Sequence, residues 1–510
     1  MTRRRKETWI DEDRRFSRPQ AAADGLGQEA EDRHRFLDKR VLLIGEPDVL
    51  TSMNGRTCFL ASVRLLPRIC RHISICVPAT ATDLARDARE IVDEITFEQD
   101  ISFVLDTPDF HGFDAILSVG TMARHDLPWT VINASGWLAR VSSGATNLPA
   151  VTGHPNPMAA LAAASLGVTE VFKRLLRVKP SRGALLDGVS FSLFDYTVGT
   201  GDPGPELPDD LPADVLLIGS GAIGNGVVYV LSQLPISGCV QIVDRQMFQV
   251  ENLGTCLLAG PTHVGTPKAE FAASFLRPRV DAEGFPEDIA VFAQRVGSEL
   301  PYPRLAIGAL DDVAARHAVQ DMWPDVIIDG AIGDFACQVS RHPWGEDVAC
   351  LRCLFRPREG DAAERVESGV TGLSIARVRQ AENRVTEDDV RAAPAEKREW
   401  LQGRVGRQIC SVVQEAVAQD ISEGEQRADF EPSVPFVACL SASMIVGEAV
   451  KQIAGWQSSL EPRYQFDSLR GPAYGEPFPQ QRRRDCVCVT RASNIEKVRG
   501  RRGPGPGSLR

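Results

Sequence analysis

At 510 residues, 43% of them hydrophobic, the chain is long enough to bury large cores and to form two domains. A formal net charge of -11 argues against a general nucleic-acid binder or membrane-surface protein, either of which needs a basic face. The charged start, Met1 to Arg15, is unlike a signal peptide, and no apolar run is expected to span a membrane. Twelve cysteines, some in close pairs, point to metal or catalytic thiols in a reducing, cytoplasmic setting rather than to a disulfide scaffold.

In chain order, a polar leader containing Arg15, Phe16, Ser17 and Arg18 precedes an apolar strand at Val41 to Gly45. The turn after it, Glu46-Pro47-Asp48, has no glycine fingerprint, and its acidic side chains would repel a phosphate. Strands follow in FDAILSVG and PWTVINASG, then a helix rich in small residues, NPMAALAAASLGVTEVFKRLL, and a further strand in VSFSLFDYTV. The polar, turn-forming segment Gly199 to Pro212 reads as a linker.

The second half opens with ADVLLIGSGAIGNGVVYVLSQLPISGCVQIVD, a strand, a glycine turn, a helix and a second strand ending in Asp244. Gly219, Gly221 and Gly224 have GxGxxG spacing, which lets the backbone approach a phosphate at a helix N-terminus. Asp244 is placed to accept from a ribose hydroxyl. Asn252 and Leu253 follow, Lys268 opens a helix after Gly265-Thr-Pro, and Asp311 precedes Arg316 by five residues. Cys350 and Cys353 form a CxxC pair and Cys486 and Cys488 a CxC pair, together able to give a tetrahedral Zn²⁺ site that stitches distant segments. A second small-residue helix, SASMIVGEAVKQIAG, leads into PRYQFDSL after a gap like that in the first half, so the halves read as a diverged repeat.

The ordered run of glycine turn, Asp244, Asn252-Leu253, Lys268, Asp311 and Arg316 resembles the adenylating superfamily of ubiquitin-activating enzymes and the bacterial ThiF and MoeB proteins. The leader Arg15-Phe16-Ser17-Arg18 is similar to that family's N-terminal signature. The resemblance implies an α/β protein of two Rossmann-like ThiF-type domains docked as an intramolecular pseudo-dimer. The expected division is an inactive domain at 1–200 and an active one at 201–510, with a crossover insertion at 356–435 and a disordered tail at 490–510. It further implies that ATP and Mg²⁺ bind the second half through Gly219, Gly221, Gly224, Asp244, Asn252, Lys268, Asp311 and Arg316. Lys268 would neutralise phosphate charge, Asp311 would hold Mg²⁺ with Asp312 as a second carboxylate, and Arg18 would reach in from the first half. The sequence departs from the family at Thr255, where most relatives have an Arg.

In ubiquitin-activating relatives the crossover carries a cysteine that takes the acyl group from AMP. Cys410, preceded by Arg404 and Arg407 at the start of an amphipathic helix, has cations and a helix dipole to lower its pKa. Cys439, among small and apolar residues in PFVACLSASM, reads as a packed core thiol and is the alternative nucleophile. The architecture is closest to the activating enzymes of bacterial ubiquitin-like conjugation operons of antiviral defence. The expected partners are a ubiquitin-like protein ending in an exposed Gly and a conjugating enzyme, with no nucleic acid and no membrane. The alternatives are a sulfur-carrier or peptide adenylyltransferase without thioester transfer and a nucleotide-binding scaffold without turnover.

Overall fold

The computed structural model describes residues 12–500, apart from 25, 27–34, 97–99, 105–107, 346, 356–361, 381–382, 410, 414–415, 417–433 and 461. Short buried apolar runs make the strands of two sheets. The first sheet is built from β1 (Arg40–Gly45), β2 (His72–Cys76), β3 (Asp100–Val104), β4 (Ala115–Val119), β5 (Trp129–Ser135), β6 (Leu138–Ser142) and β7 (Val189–Ser192), in the order β3-β2-β1-β4-β5-β6-β7. The second is built from β8 (Val215–Ile218), β9 (Cys239–Val243), β10 (Asp281–Phe285), β11 (Leu305–Gly308), β12 (Val326–Gly333), β13 (Ala336–Pro343), β14 (Arg463–Asp467) and β15 (Glu476–Phe478), in the order β10-β9-β8-β11-β12-β13-β14-β15. In each sheet five parallel strands are followed by antiparallel ones, so the two halves share one topology. The strand order reverses between β1 and β4 and between β8 and β11. Those switch points are where an open α/β sheet leaves a crevice at the carboxyl ends of its strands.

The helices include α1 (Ser17–Asp24), α2 (Met53–Leu65), α3 (Pro157–Leu175), α4 (Ala222–Leu231), α5 (Lys268–Leu276), α6 (Val313–Asp321), α7 (Pro435–Ile453) and α8 (Ala492–Gly500). The small side chains of α3 and α7 let the halves dock: α3 packs on α7, α2 on α3 and α4 on α7. A Cβ on Gly226 of α4 would come within 2.7 Å of the Ala442 side chain, so this contact needs the bare backbone.

The repeat also carries matched polar contacts. Glu170 and Lys173 form a buried ion pair on α3, and Glu448 and Lys451 form its counterpart on α7. Each lysine then reaches into the other half: Lys173 Nζ donates to the Leu469 carbonyl at 2.9 Å and Lys451 Nζ to the Phe194 carbonyl at 2.8 Å. Leu469 and Phe194 both lie two residues beyond the matching strands β14 and β7, so one contact is made twice about the pseudo-two-fold. Charges buried this deeply are costly unless paired, and pairing at one register alone specifies how the halves meet.

Two expectations are corrected. The sequence reading expects no run able to span a membrane, but α7 is long and apolar enough to do so; 89% of its most apolar window is buried inside the protein, where it serves as the central core helix. The same reading expects disorder from 490 onward, yet residues 492–500 form α8, which buries Ile495 and holds Arg499 against the Pro324 carbonyl at 2.8 Å and Asp325 at 2.5 Å.

Candidate functional site

The two switch points differ in what fills them. At β1/β4 the Glu46 carboxylate accepts hydrogen bonds from the Thr121 amide at 2.9 Å, the Thr121 hydroxyl at 3.0 Å and the Met122 amide at 2.9 Å. A carboxylate of the chain itself is thus fixed at this switch point, where it would repel a phosphate.

At β8/β11 the turn out of the strand is glycine-rich and leaves room beside Gly221. Gly219 has φ +90°, a left-handed conformation that lets the chain turn out of β8, and a Cβ there would strike the Ala309 carbonyl oxygen at 2.4 Å. A Cβ on Gly224 would meet the Gly219 carbonyl oxygen at 2.1 Å, whereas one on Gly221 would meet nothing within 4 Å. Gly221 caps α4 without a side-chain hydrogen bond, so the first amides of the helix face this space. Asp244 is fixed at the end of β9, its carboxylate accepting the Ser220 amide at 2.7 Å and the Gln246 amide at 2.8 Å.

Lys268 begins α5 and is buried, with Nζ donating to Gln246 Oε1 at 2.7 Å. Among the described residues it has no carboxylate partner, which leaves a buried cation available to an anion. Arg18, on α1, likewise has no hydrogen-bond or ion-pair partner among the described residues. The α1 arm lies on the turn Val250–Gly254, and a Cβ on Gly254 would strike the Arg15 carbonyl oxygen at 2.2 Å. Burial pushes the Cys256 thiol up, and the charges of Lys268, Arg18 and Arg68 pull it back, which locates all three cations around this one loop. Asn252 is buried in the same turn, its Oδ1 accepting the Gln249 amide at 3.0 Å.

The turn after β11 separates its two carboxylates. Asp312 caps α6 by accepting the Ala315 amide at 2.6 Å through one carboxylate oxygen. Asp311 is exposed at the crevice mouth and makes no such bond. Arg316, expected among the nucleotide ligands, turns inward instead. Its Nε lies 3.2 Å from Asp329 Oδ2, and its Nη2 donates to the Leu310 carbonyl just behind Asp311. Burial raises Asp329 to about 6 despite that guanidinium. Thr255, where the family resemblance leads one to expect an Arg, is buried and donates to the Asn252 carbonyl at 3.3 Å. The loop is braced from the first half by Arg68, which donates to the carbonyls of Leu253, Leu257 (2.7 Å) and Ala259 (3.2 Å) and is lowered to about 10 by burial.

The four cysteines expected to bind metal converge. Sγ–Sγ distances are 3.7 Å for Cys350–Cys353, 3.7 Å for Cys350–Cys486 and 3.5 Å for Cys353–Cys488, and all four sulfurs lie within 4.8 Å of one another. Zinc–sulfur bonds of about 2.3 Å in a tetrahedron require edges of about 3.8 Å, so the donor set fits zinc. Hydrogen bonds from the Cys350 and Cys488 thiols, together with the Arg483 amide, pull the Cys353 thiol well down against the opposing effect of burial.

Of the two thiols weighed as nucleophile, Cys410 lies outside the described residues. Its flanking cations are both engaged: Arg407 with Glu251 at 3.2 Å, and Arg404 with its guanidinium 3.8 Å over the Trp400 ring. Cys439 is fully buried within α7 and raised to about 12 by that burial, as a core thiol should be. Sequence reasoning missed Glu251, Arg68, Gln246 and Asp329. None stands in a motif, and most of their partners lie far away in the chain.

Residues 211–488 match the ThiF family and residues 40–193 the BilD N-terminal domain. Among curated proteins, the chain is similar to "Uncharacterized protein y4jF" of Sinorhizobium fredii (strain NBRC 101917 / NGR234), 28% identical over 382 residues that cover 70% of this chain and 72% of that one. It is also similar to the "SAMP-activating enzyme E1" of Haloferax volcanii, 27% identical over 197 residues, 37% of this chain and 71% of that one. Among solved structures, E. coli MccB with AMPCPP and MccA aligns at 15% identity and a TM-score of 0.34, over 54% of this chain and 66% of that chain.

Proposed function

We propose, from the premise that this chain belongs to the ThiF family, that it activates the C-terminal carboxylate of a ubiquitin-like protein and passes it to a cysteine of its own. Membership carries the coarser statement: this is an adenylyltransferase that joins a substrate carboxylate to AMP, using ATP with Mg²⁺. The finer reading is supported by the BilD match over residues 40–193 and by the fusion of a half with a carboxylate fixed at its switch point to one with a glycine-rich turn there. The observation that carries it is that Lys268 and Arg18, one from each half, have no carboxylate partner among the described residues and both act on Cys256 in the loop that follows β9.

A carrier carboxylate oxygen attacks the α-phosphorus of ATP; the new O–P bond forms as the bond to the β-phosphate bridge breaks and pyrophosphate leaves. Both reactants are anions, so fixed cations must offset their repulsion. Lys268 neutralises the phosphates from the second half and Arg18 from the first. Amides at the start of α4 donate to phosphate oxygens, and Asp244 orients the ribose. Asp311 would hold Mg²⁺, which when bound supplies further charge neutralisation at the phosphates. Arg316 fixes the turn that presents Asp311. A thiolate, Cys410 in this reading, then attacks the acyl carbon and releases AMP, giving a thioester for handover to a conjugating enzyme. Zn²⁺ at Cys350, Cys353, Cys486 and Cys488 would be structural. The setting is cytoplasmic, in bacterial antiviral defence.

The test is carrier-dependent ATP–pyrophosphate exchange, with Lys268→Ala and Asp311→Ala each expected to abolish it. A buried charge about 4 Å from a phosphate at an effective dielectric near 20 is worth about 4 kcal/mol, or roughly a thousandfold. Exchange within tenfold of wild type in Lys268→Ala refutes its role; exchange without thioester formation in wild type leaves a ThiF/MoeB-like adenylator.

A further inference from the structure

Glu251 immediately precedes Asn252 and is 1% exposed. Its carboxylate accepts hydrogen bonds from Arg14, Nε at 2.9 Å together with Nη2, from Arg407 Nη2 at 3.2 Å and from Ser411 Oγ at 3.2 Å. Arg14 belongs to the arm that carries Arg18, whereas Arg407 and Ser411 belong to the crossover. One buried carboxylate therefore joins three regions of the chain. Gln249 adds a bond to Gln408 at 2.7 Å beside it.

These polar bonds matter because the crossover has a core of its own. Val370, Leu373, Val385, Leu401, Ile409 and Val412 pack among themselves, in a cluster separate from the main core. What seats that unit against the nucleotide loop at this point is Glu251 and its neighbours. The same carboxylate lies between two guanidiniums, each about a quarter exposed, so removing its charge leaves Arg14 and Arg407 as like charges on one neutral side chain.

We propose that Glu251 is a positioning residue for adenylation: its carboxylate clamps Arg14 of the N-terminal arm and Arg407 and Ser411 of the crossover on the loop that carries Asn252, and this clamp acts on the reaction by holding Arg18 at the phosphate site. This rests on the adenylation reading above. Because Arg18 acts on charge developing in the transition state, displacing it lowers kcat more than it raises KM for ATP.

Glu251→Gln is expected to lower kcat for carrier-dependent pyrophosphate exchange at least tenfold, with KM for ATP changed less than about threefold. In an Arg18→Ala background the same substitution should cost no further activity, because the residue through which it acts is already gone. Independently of activity, amide hydrogen exchange over residues 14–24 and 407–413 should both quicken at least tenfold in Glu251→Gln, with the strands of the second sheet unchanged. Arg14→Gln leaves Glu251 paired with Arg407; it should loosen only 14–24 and carries the same kinetic test should Glu251→Gln not accumulate. Losses that multiply in the double variant, or quickened exchange in neither segment or in only one of them in Glu251→Gln, overturn the proposal. A wild type with no pyrophosphate exchange overturns the adenylation reading instead, and the hydrogen-exchange comparison then still decides whether Glu251 clamps the two segments.

Discussion

Replacing Cys488 by Ser should remove a metal and release the C-terminal segment while leaving the nucleotide half folded. The segment from Arg482 to Gly500 contains two short helices, of four and nine residues, both below the length at which a helix persists alone. Besides its two cysteines, Ile495 is the only side chain this segment buries among the described residues. Burying one such aliphatic chain contributes about 1.5–3 kcal/mol. A four-thiolate zinc site contributes on the order of 10 kcal/mol, so a zinc ion bound there would hold this segment more strongly than the apolar contact does. Metal analysis of protein purified without chelator should give about one Zn²⁺ per chain. Cys488→Ser should give well under half of that, with amide exchange over 486–500 quickened and exchange in β8, β11 and β12 unchanged. Metal-free wild type, or a Cys488→Ser protein with full zinc and wild-type protection, would refute the reasoning.

Arg18→Ala should lower pyrophosphate exchange by about tenfold or more despite lying outside the nucleotide-binding half; an unchanged rate would remove the composite site. Cys410→Ala should keep exchange and lose the carrier adduct seen on a non-reducing gel, while Cys439→Ala keeps both; loss of the adduct only in Cys439→Ala reverses the assignment. Asp329 has a folded pKa of about 6, above its ordinary value near 3.8, so it binds a proton more tightly folded than unfolded. Its contribution to stability is therefore fully present below about pH 4 and is lost as pH rises through 6. Comparing wild type with Asp329→Asn by denaturant unfolding at pH 5 and pH 7.5, wild type should lose ground to the variant at the higher pH, by an amount on the order of 1 kcal/mol. A constant difference would show that Asp329 does not titrate there.

What the sequence determined by itself is whatever local spacing carries. The glycine turn, the acidic end of β9, Lys268 at a helix start and the two cysteine pairs each lie within a few bonds of the element that presents them, so period and punctuation suffice to find them. The doubled topology was legible for the same reason, because each half repeats one order of strands and small-residue helices. Only the tertiary structure decided which of these groups face the crevice and which are used up behind it. The family resemblance implies a metal role for Asp311 and Asp312 and a nucleotide role for Arg316; only the fold shows that Asp312 caps α6 and that Arg316 pairs with Asp329. The cations before Cys410 are engaged in the same way, one by a carboxylate 156 residues away. Glu251 and the exchanged contacts of Lys173 and Lys451 leave no trace in any local pattern. Their partners meet only when two halves and a crossover are packed together, and burial, which fixes the worth of a charge, is a property of that packing.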